Sequence, residues 1–233
     1  MPLSQQPETE LLGHLRKKLR SVADPKKAPA MKAYMKSEMP YHGVPTPILR
    51  KLCKESFNDL EFTTYREWEK HILTLWRNAQ FREERYAALH LASHRSSRPF
   101  QTLQSLKVYE EMVVTGAWWD YVDVIAAHHV GALLREFPKQ MKPKMLKWSR
   151  SSNLWKRRTS ILCQLGFNKE TDLDLLYSCI EPSFGSKEFF LNKAIGWALR
   201  QYAWTDPKET VRYVKKNDSK LHPLSKREAL KNL

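Results

Sequence analysis

Six consecutive residues, Trp118-Trp119-Asp120-Tyr121-Val122-Asp123, bring two indoles and two carboxylates together. If they open a helix, Trp119 and Asp123 stand four apart and share one face. A carboxylate beside an indole is a poor way to build a core, because a buried charge is costly unless it is paired. It is a good way to hold a cation, since the ring face attracts positive charge and the carboxylate neutralises it. Two readings stand at this point. In one, Asp123 faces positive charge on a bound substrate; in the other, Trp119 packs in the core and Asp123 pairs with a nearby Lys or Arg.

The elements that position this stretch read as helices. The chain has only seven glycines and no Asn-Gly or Asp-Gly hairpin signal, so the case for sheet is weak. Leu11, Leu12, Leu15 and Leu19 make one apolar stripe within residues 8–22. Thr46-Pro47 and Asp206-Pro207 read as an N-cap followed by Pro at the first helical position. Thr64 with Glu67, and Ser225 with Glu228, have the spacing of capping boxes. Pro40, Pro45, Pro138, Pro143 and Pro182 fall between periodic segments. The expectation is an all-α chain of roughly a dozen helices joined by short loops, forming one domain over residues 1–233.

Those helices also repeat. Arg85, Asp123, Arg158 and Lys193 each open a run of small and aliphatic residues, at separations of 38, 35 and 35. Each is preceded, three or four residues earlier, by an aromatic: Phe81, Trp119, Trp155 and Phe189. A period of this size with two helices per unit marks a HEAT-like α-solenoid. Equivalent positions would then line one concave face carrying Arg85, Asp123, Arg158 and Lys193. Trp197, four residues after Lys193, belongs on that face. Asp123 is the one acid in an otherwise basic row.

Lys and Arg number 40 against 25 acidic residues, a formal net charge of +15, which points to a polyanionic partner. Nine basic and no acidic residues fall between 138 and 169, and eleven basic against two acidic between 13 and 54. Most of the run from Lys139 to Lys147 reads as a solvated face. Lys156, Arg157 and Arg158 sit at a helix start, where guanidinium and free backbone N–H groups can grip a phosphate. Eight Trp spread along the chain do not resemble one amphipathic membrane anchor, and no segment reaches the length of a membrane span. The three cysteines are widely spaced and the eight histidines scattered, so neither a disulfide framework nor a zinc site is indicated. With no apolar signal region at the start, an intracellular protein without metal or cofactor is expected.

Several ordered motifs resemble the DNA alkylation repair (AlkD-like) DNA glycosylases. They are Trp118-Trp119-Asp-Tyr-Val-Asp123, Asn153-Leu-Trp-Lys-Arg-Arg158, the stretch from Ser186-Lys-Glu-Phe-Phe to Gly196-Trp197-Ala-Leu-Arg200, and Pro223-Leu-Ser-Lys-Arg-Glu-Ala. Ala33-Tyr34-Met-Lys and Gly43-Val-Pro-Thr46-Pro also fit, so the resemblance covers nearly the whole chain. It implies HEAT-like repeats with a basic concave face that cradles duplex DNA, acting as a monomer. It implies hydrolysis of the N-glycosidic bond of N3- and N7-alkylated purines without rotating the base into a deep pocket. By the same resemblance Asp123 is the catalytic carboxylate, Trp119 and Trp197 are indoles beside the lesion, and Arg158 contacts phosphate. Further DNA contacts are implied at Tyr34, Thr46, Phe189, Phe190 and Arg200. Pro45 departs from the polar residue expected before Thr46, so no contact is assigned to it.

The chemistry suits those residues. An N3- or N7-alkylated purine is already cationic and leaves as a neutral base, so the barrier lies in positive charge building on the deoxyribose. A carboxylate aimed at the sugar stabilises that charge and orients water. His128 and His129 follow Asp123 by five and six residues, about 140° and 240° around an ideal helix, so neither reads as an acid aimed at the base. Two rivals share the basic groove: a non-catalytic HEAT-like DNA-binding scaffold, and an adaptor for acidic protein segments. Base release, and preference for DNA over a neutral-sequence competitor, separate them. An intracellular site in cytoplasm and nucleoid, or in the nucleus of a eukaryote, follows from a DNA partner.

Overall fold

In the computed structural model, which describes residues 10–233, the described chain contains fourteen α-helices and no strand. The expectation of an all-α chain holds. Two compact units are present, Met1–Ser105 and Leu106–Leu233.

The first unit contains α1 (Glu10–Ser21), α2 (Ala28–Met35), α3 (Thr46–Phe57), α4 (Tyr65–Arg77) and α5 (Arg82–Ala92). The stripe read from the sequence is buried at Leu12, Leu15 and Leu19, and α1 packs on α3. The part of that stretch before residue 10 lies outside the described residues. Thr64 caps α4 as expected, its hydroxyl accepting from the Glu67 N–H at 3.2 Å, while the Glu67 carboxylate reaches back to the Thr63 N–H at 2.9 Å. α3 begins one residue earlier than expected: Thr46 is already helical, Pro45 holds the cap position, and no side chain caps it. Glu83 is fully buried, and its carboxylate accepts from the backbone N–H groups of His42, Gly43 and Val44 at 2.9–3.1 Å. Those three bonds satisfy a buried charge that would otherwise be costly, and they fix the loop ahead of Thr46.

The second unit opens with α6 (Leu106–Gly116) and α7 (Trp119–Val124), runs through a π-helical turn at Ile125–Val130, and continues as α8 (Gly131–Glu136). There follow α9 (Pro138–Ser149), α10 (Leu154–Leu162), α11 (Leu173–Ile180), α12 (Phe189–Ala203), α13 (Pro207–Lys216) and α14 (Pro223–Ala229). α10 is the central helix, packed on α6, α7, the π turn, α9, α11 and α12. Its Ile161 and Leu162 share one core with Ala126, Leu176, Ile180, Leu191, Ile195 and Leu199. Cys163 and Cys179 are buried free thiols in this region, and burial pushes the Cys179 thiol up to about 12.

Two local expectations are corrected here. Pro143 lies inside α9 instead of between helices. The helix tolerates it because Lys139, Lys142, Pro143 and Lys144 are exposed, so water can satisfy the carbonyl that the missing N–H leaves free; Met141, Met145 and Trp148 hold the other face in the core. Ser225 and Glu228 do not form a capping box. α14 starts at Pro223 with the His222 ring accepting from the Leu224 N–H. Ser225 instead donates its hydroxyl to the Asn192 carbonyl of α12 at 2.9 Å, and Glu228 turns to two cations on α12. By contrast Asp206 caps α13 as read, accepting from the Glu209 N–H at 2.9 Å.

Candidate functional site

Three helices of the second unit carry the repeated positions, and each has the aromatic that the repeat marks as its first or second residue. Trp119 opens α7, Trp155 is second in α10, and Phe189 opens α12. The charged residue then sits fifth in each helix: Asp123, Arg158 and Lys193. Because α10 packs against both α7 and α12, these positions are neighbours in a row.

At the centre, Arg158 Nε donates to Asp123 Oδ1 at 2.7 Å and its Nη2 donates to Oδ2 at 2.9 Å. Nη1 of the same guanidinium donates to the Phe190 carbonyl of α12 at 2.5 Å. One planar fork thus ties α7, α10 and α12 together. The side chains are 5% exposed for Arg158 and 13% for Asp123. Burial pushes the Asp123 carboxyl above the usual carboxylate range, the Arg158 guanidinium opposes that rise, and the nearby Asp120 adds slightly to it.

This geometry revises the sequence reading of Arg158. Its guanidinium is buried and spent on Asp123 and Phe190, whereas a phosphate anchor needs a cation facing solvent. The helix start beside it is closed as well. Asn153 caps α10, its side-chain oxygen accepting from the N–H groups of Trp155 and Lys156 at 3.0 Å each. Those N–H groups are therefore not open to a phosphate.

The register that lets Asp123 reach Arg158 depends on the π turn. Asp123 and Gly131 are eight residues apart, which on a regular helix leaves them roughly 80° out of line. One extra residue in the π turn makes the interval equivalent to about seven, or two full turns. Both then face α10. The second contact is tight: a Cβ at position 131 would lie 2.6 Å from the Cys163 carbonyl oxygen. Gly131 is what allows α10 that close while Asp123 meets Arg158 a little more than two turns earlier. The turn also sends His129 into the core, stacked on Tyr109 at 4.7 Å, where burial drops its imidazole to about 3. His128 is exposed. His129 is thus turned into the core against Tyr109.

An aromatic wall stands beside the ion pair, and the sequence reading missed it. Trp118 meets Trp155 at 6.2 Å and Phe190 at 5.6 Å, and Trp155 meets Phe190 at 5.1 Å. Phe190 also touches Phe189, whose ring is 58% exposed. Trp118 stands just before α7, and the recurrence of aromatics at about 35 residues is the signal the sequence carries for such a wall. Trp119 and Trp197 are half-buried and do not join the wall.

The model of the DNA alkylation repair enzyme family matches residues 15–233. The chain belongs to that family. Its structure is similar to that of a predicted DNA alkylation repair enzyme from Enterococcus faecalis, with a TM-score of 0.81 and 29% identity over 91% of this chain and 96% of that one. No curated sequence matches it. Membership supports a role in the repair of alkylated DNA, and it gives the cations around the pair their interest.

In this DNA alkylation repair family member most of the cations marked from sequence have internal partners. Lys156 pairs with Glu110 and lies 5.4 Å from the Trp148 ring centre. Arg157 donates to the Pro182 carbonyl and the Ser183 hydroxyl at 3.3 and 2.9 Å. Lys193 and Arg200, on the next helix of the row, share Glu228 at 3.0 and 2.6 Å. In the first unit Tyr34 is 79% exposed on α2, Thr46 is exposed at the start of α3, and Arg85 lies over the Trp76 ring at 4.9 Å. No cluster of metal-ligating side chains occurs among the described residues, and no described helix is long and apolar enough to cross a membrane.

Proposed function

We propose that this protein is a monofunctional DNA glycosylase that hydrolyses the N-glycosidic bond of cationic N3- and N7-alkylated purines in duplex DNA. The observation that carries the reading is the Asp123–Arg158 pair. It is a carboxylate on the Trp119 face of α7, largely desolvated, oriented through both oxygens, and left with a small opening to solvent. In a site of low polarity such a carboxylate acts on developing positive charge far more strongly than it does in water. The C1′–N bond breaks with its electron pair going to the already cationic base, which leaves neutral. Asp123 stabilises the oxocarbenium-like sugar and accepts a hydrogen bond from the water that attacks C1′; the proton lost goes to solvent. Trp119 and Trp197 offer ring faces to the cationic nucleotide, worth about 1–2 kcal/mol each when desolvated. HEAT-like stacking of α7, α10 and α12 presents Lys156, Arg157, Lys193, Arg200, Phe189 and Phe190 to the backbone. Tyr34 and Thr46 add contacts from the first unit. No proton donor for a neutral base is called on, so neutral lesions stay in place.

A second reading is favoured by the same pair. Arg158 occupies both Asp123 oxygens, as in a purely structural tie, and the protein would then be a non-catalytic DNA-binding scaffold. Single-turnover assays on duplexes carrying one N7-methylguanine, N3-methyladenine or hypoxanthine decide between them. The enzyme releases the two cationic bases and leaves hypoxanthine. Asp123→Asn lowers release by roughly two to three orders of magnitude, the scale of losing one preorganised polar group, while duplex affinity is kept. No release from any wild-type reaction, or undiminished release by Asp123→Asn, overturns the catalytic assignment.

A further inference from the structure

Where α12 and α14 cross, the two helices touch backbone to side chain. A Cβ at Gly196 would fall 2.4 Å from the Glu228 Cβ and 2.8 Å from the Ser225 carbonyl oxygen. The Ser225 hydroxyl fastens the crossing to the Asn192 carbonyl. This contact carries Glu228 to a point between two cations on α12 that are seven residues, about two turns, apart. Lys193 Nζ meets Glu228 Oε1 at 3.0 Å, and Arg200 Nη1 meets Oε2 at 2.6 Å. The Lys193 and Arg200 side chains stay 37% and 22% exposed, while Glu228 is 13% exposed. The carboxylate thus sits below two cations that solvent still reaches. One anion with two oxygens bridging a Lys and an Arg from one helix face has the charge and reach of a bound phosphate diester.

We propose that Glu228 is a built-in stand-in for a DNA backbone phosphate, holding Lys193 and Arg200 in a two-cation phosphate site that the duplex enters by taking over their bonds from the carboxylate. The inference rests on the reading that the α12 face meets DNA. Glu228 is a positioning residue acting through the two cations: it keeps them in place without DNA, and it limits how tightly the site grips. A duplex must displace an anion instead of filling an open cation pair, so part of the binding free energy is returned when the product leaves. The carboxyl is held below its usual range first by Lys193 and then by Arg200, so the competitor is charged whenever DNA is bound near neutral pH.

The test measures affinity for an undamaged duplex from 50 to 200 mM salt, which needs no base release. Glu228→Gln frees the pair and steepens the salt dependence by about one unit of slope, giving a roughly three- to fourfold larger gain across that range. Glu228→Asp stays near wild type. Glu170→Gln, which removes an exposed acid on Arg135 in the same unit, sets the size of the general charge effect. With Lys193→Gln and Arg200→Gln in place, Glu228→Gln adds no more than that control. A slope for Glu228→Gln that stays at wild type, or rises only as much as in Glu170→Gln, overturns the proposal, as does a lowered melting temperature with no change in slope. Should Glu228→Gln fail to fold, the Lys193→Gln, Arg200→Gln pair decides: a flattened slope supports the site and an unchanged one removes it. Because binding and base release are read separately, a steeper slope without excision would leave this site standing and remove the glycosylase reading.

Discussion

Arg158→Met separates the two roles an arginine could have here. Its guanidinium is Asp123's countercharge and the donor to the Phe190 carbonyl. Removing it leaves a nearly buried carboxylate unpaired, which costs about 3–5 kcal/mol, and leaves the Phe190 carbonyl without that donor, about 1 kcal/mol more. For a chain of this length the first loss alone lowers the melting temperature by roughly 6–20 °C. The loss depends on pH in a definite direction. Burial already raises the folded Asp123 carboxyl above its ordinary value of 3.8, and Arg158 supplies the opposing influence, so the variant raises it further. Where both folded and unfolded states hold the proton, below about 3.8, the unpaired charge does not exist and its penalty is absent. The penalty then grows as pH rises and is complete above the folded value. Urea melts at pH 4 and pH 7.5 should show most of the deficit only at the higher pH, with about 1 kcal/mol remaining at both from Phe190. Adding Asp123→Asn should recover the pH-dependent part. The salt slope of duplex binding should stay near wild type, whereas loss of a phosphate contact flattens it by roughly one unit. An equal deficit at both pH values, or a flattened slope with normal stability, would refute the assignment of Arg158 to Asp123.

Two further expectations concern the helix behind the pair. Gly131→Ala places a Cβ 2.6 Å from the Cys163 carbonyl oxygen, so α8 and α10 must separate. A stability loss of about 1–3 kcal/mol is expected, with base release reduced more than duplex affinity; normal melting and normal kinetics would show that the close approach does not set the register. His129 is buried with its imidazole lowered to about 3, so the unfolded chain takes up a proton that the folded one refuses. Its contribution is complete above about 6.5 and is lost progressively as pH falls toward 3, by roughly 4–5 kcal/mol in all. His129→Phe, which keeps a ring on Tyr109, should flatten the acid limb of the stability curve, and an unchanged limb would remove His129 as its source.

Much of the helical order was legible because it is local. Leu12, Leu15 and Leu19 share a stripe at helical spacing, and Thr64 and Asp206 cap the helices that follow them through contacts three residues long. The repeat was legible for a similar reason: Trp119, Trp155 and Phe189 recur at a near-constant interval, and each stands at a helix start. What failed were readings in which a local pattern competed with a distant partner. Ser225 and Glu228 have capping-box spacing, but Asn192, Lys193 and Arg200 claim them from another helix. Pro143 looks like a boundary, yet the buried Met141, Met145 and Trp148 hold α9 together around it. The π turn left no mark in periodicity, since one inserted residue shifts a pattern that Ala126 and Ala127 are too small to display.

Asp123 shows why charge rows are hard to interpret from sequence. In the linear reading it was a lone acid among cations, and that isolation was the argument for chemistry. The fold supplies the countercharge from 35 residues away, so isolation no longer distinguishes a catalytic carboxylate from a structural one. The catalytic reading asks in addition for spare acceptor capacity on the carboxylate. An ionised carboxylate has about four lone-pair positions, and Arg158 takes one on each oxygen. The guanidinium therefore fixes the plane of the group and keeps it charged in a site where burial works against that charge, yet leaves a position on each oxygen for a water or a sugar. A partner that bound both oxygens through every lone pair would have closed the site. A bidentate Arg from one side closes half of it, and the remaining opening lies where Asp123 keeps its last 13% of exposed surface.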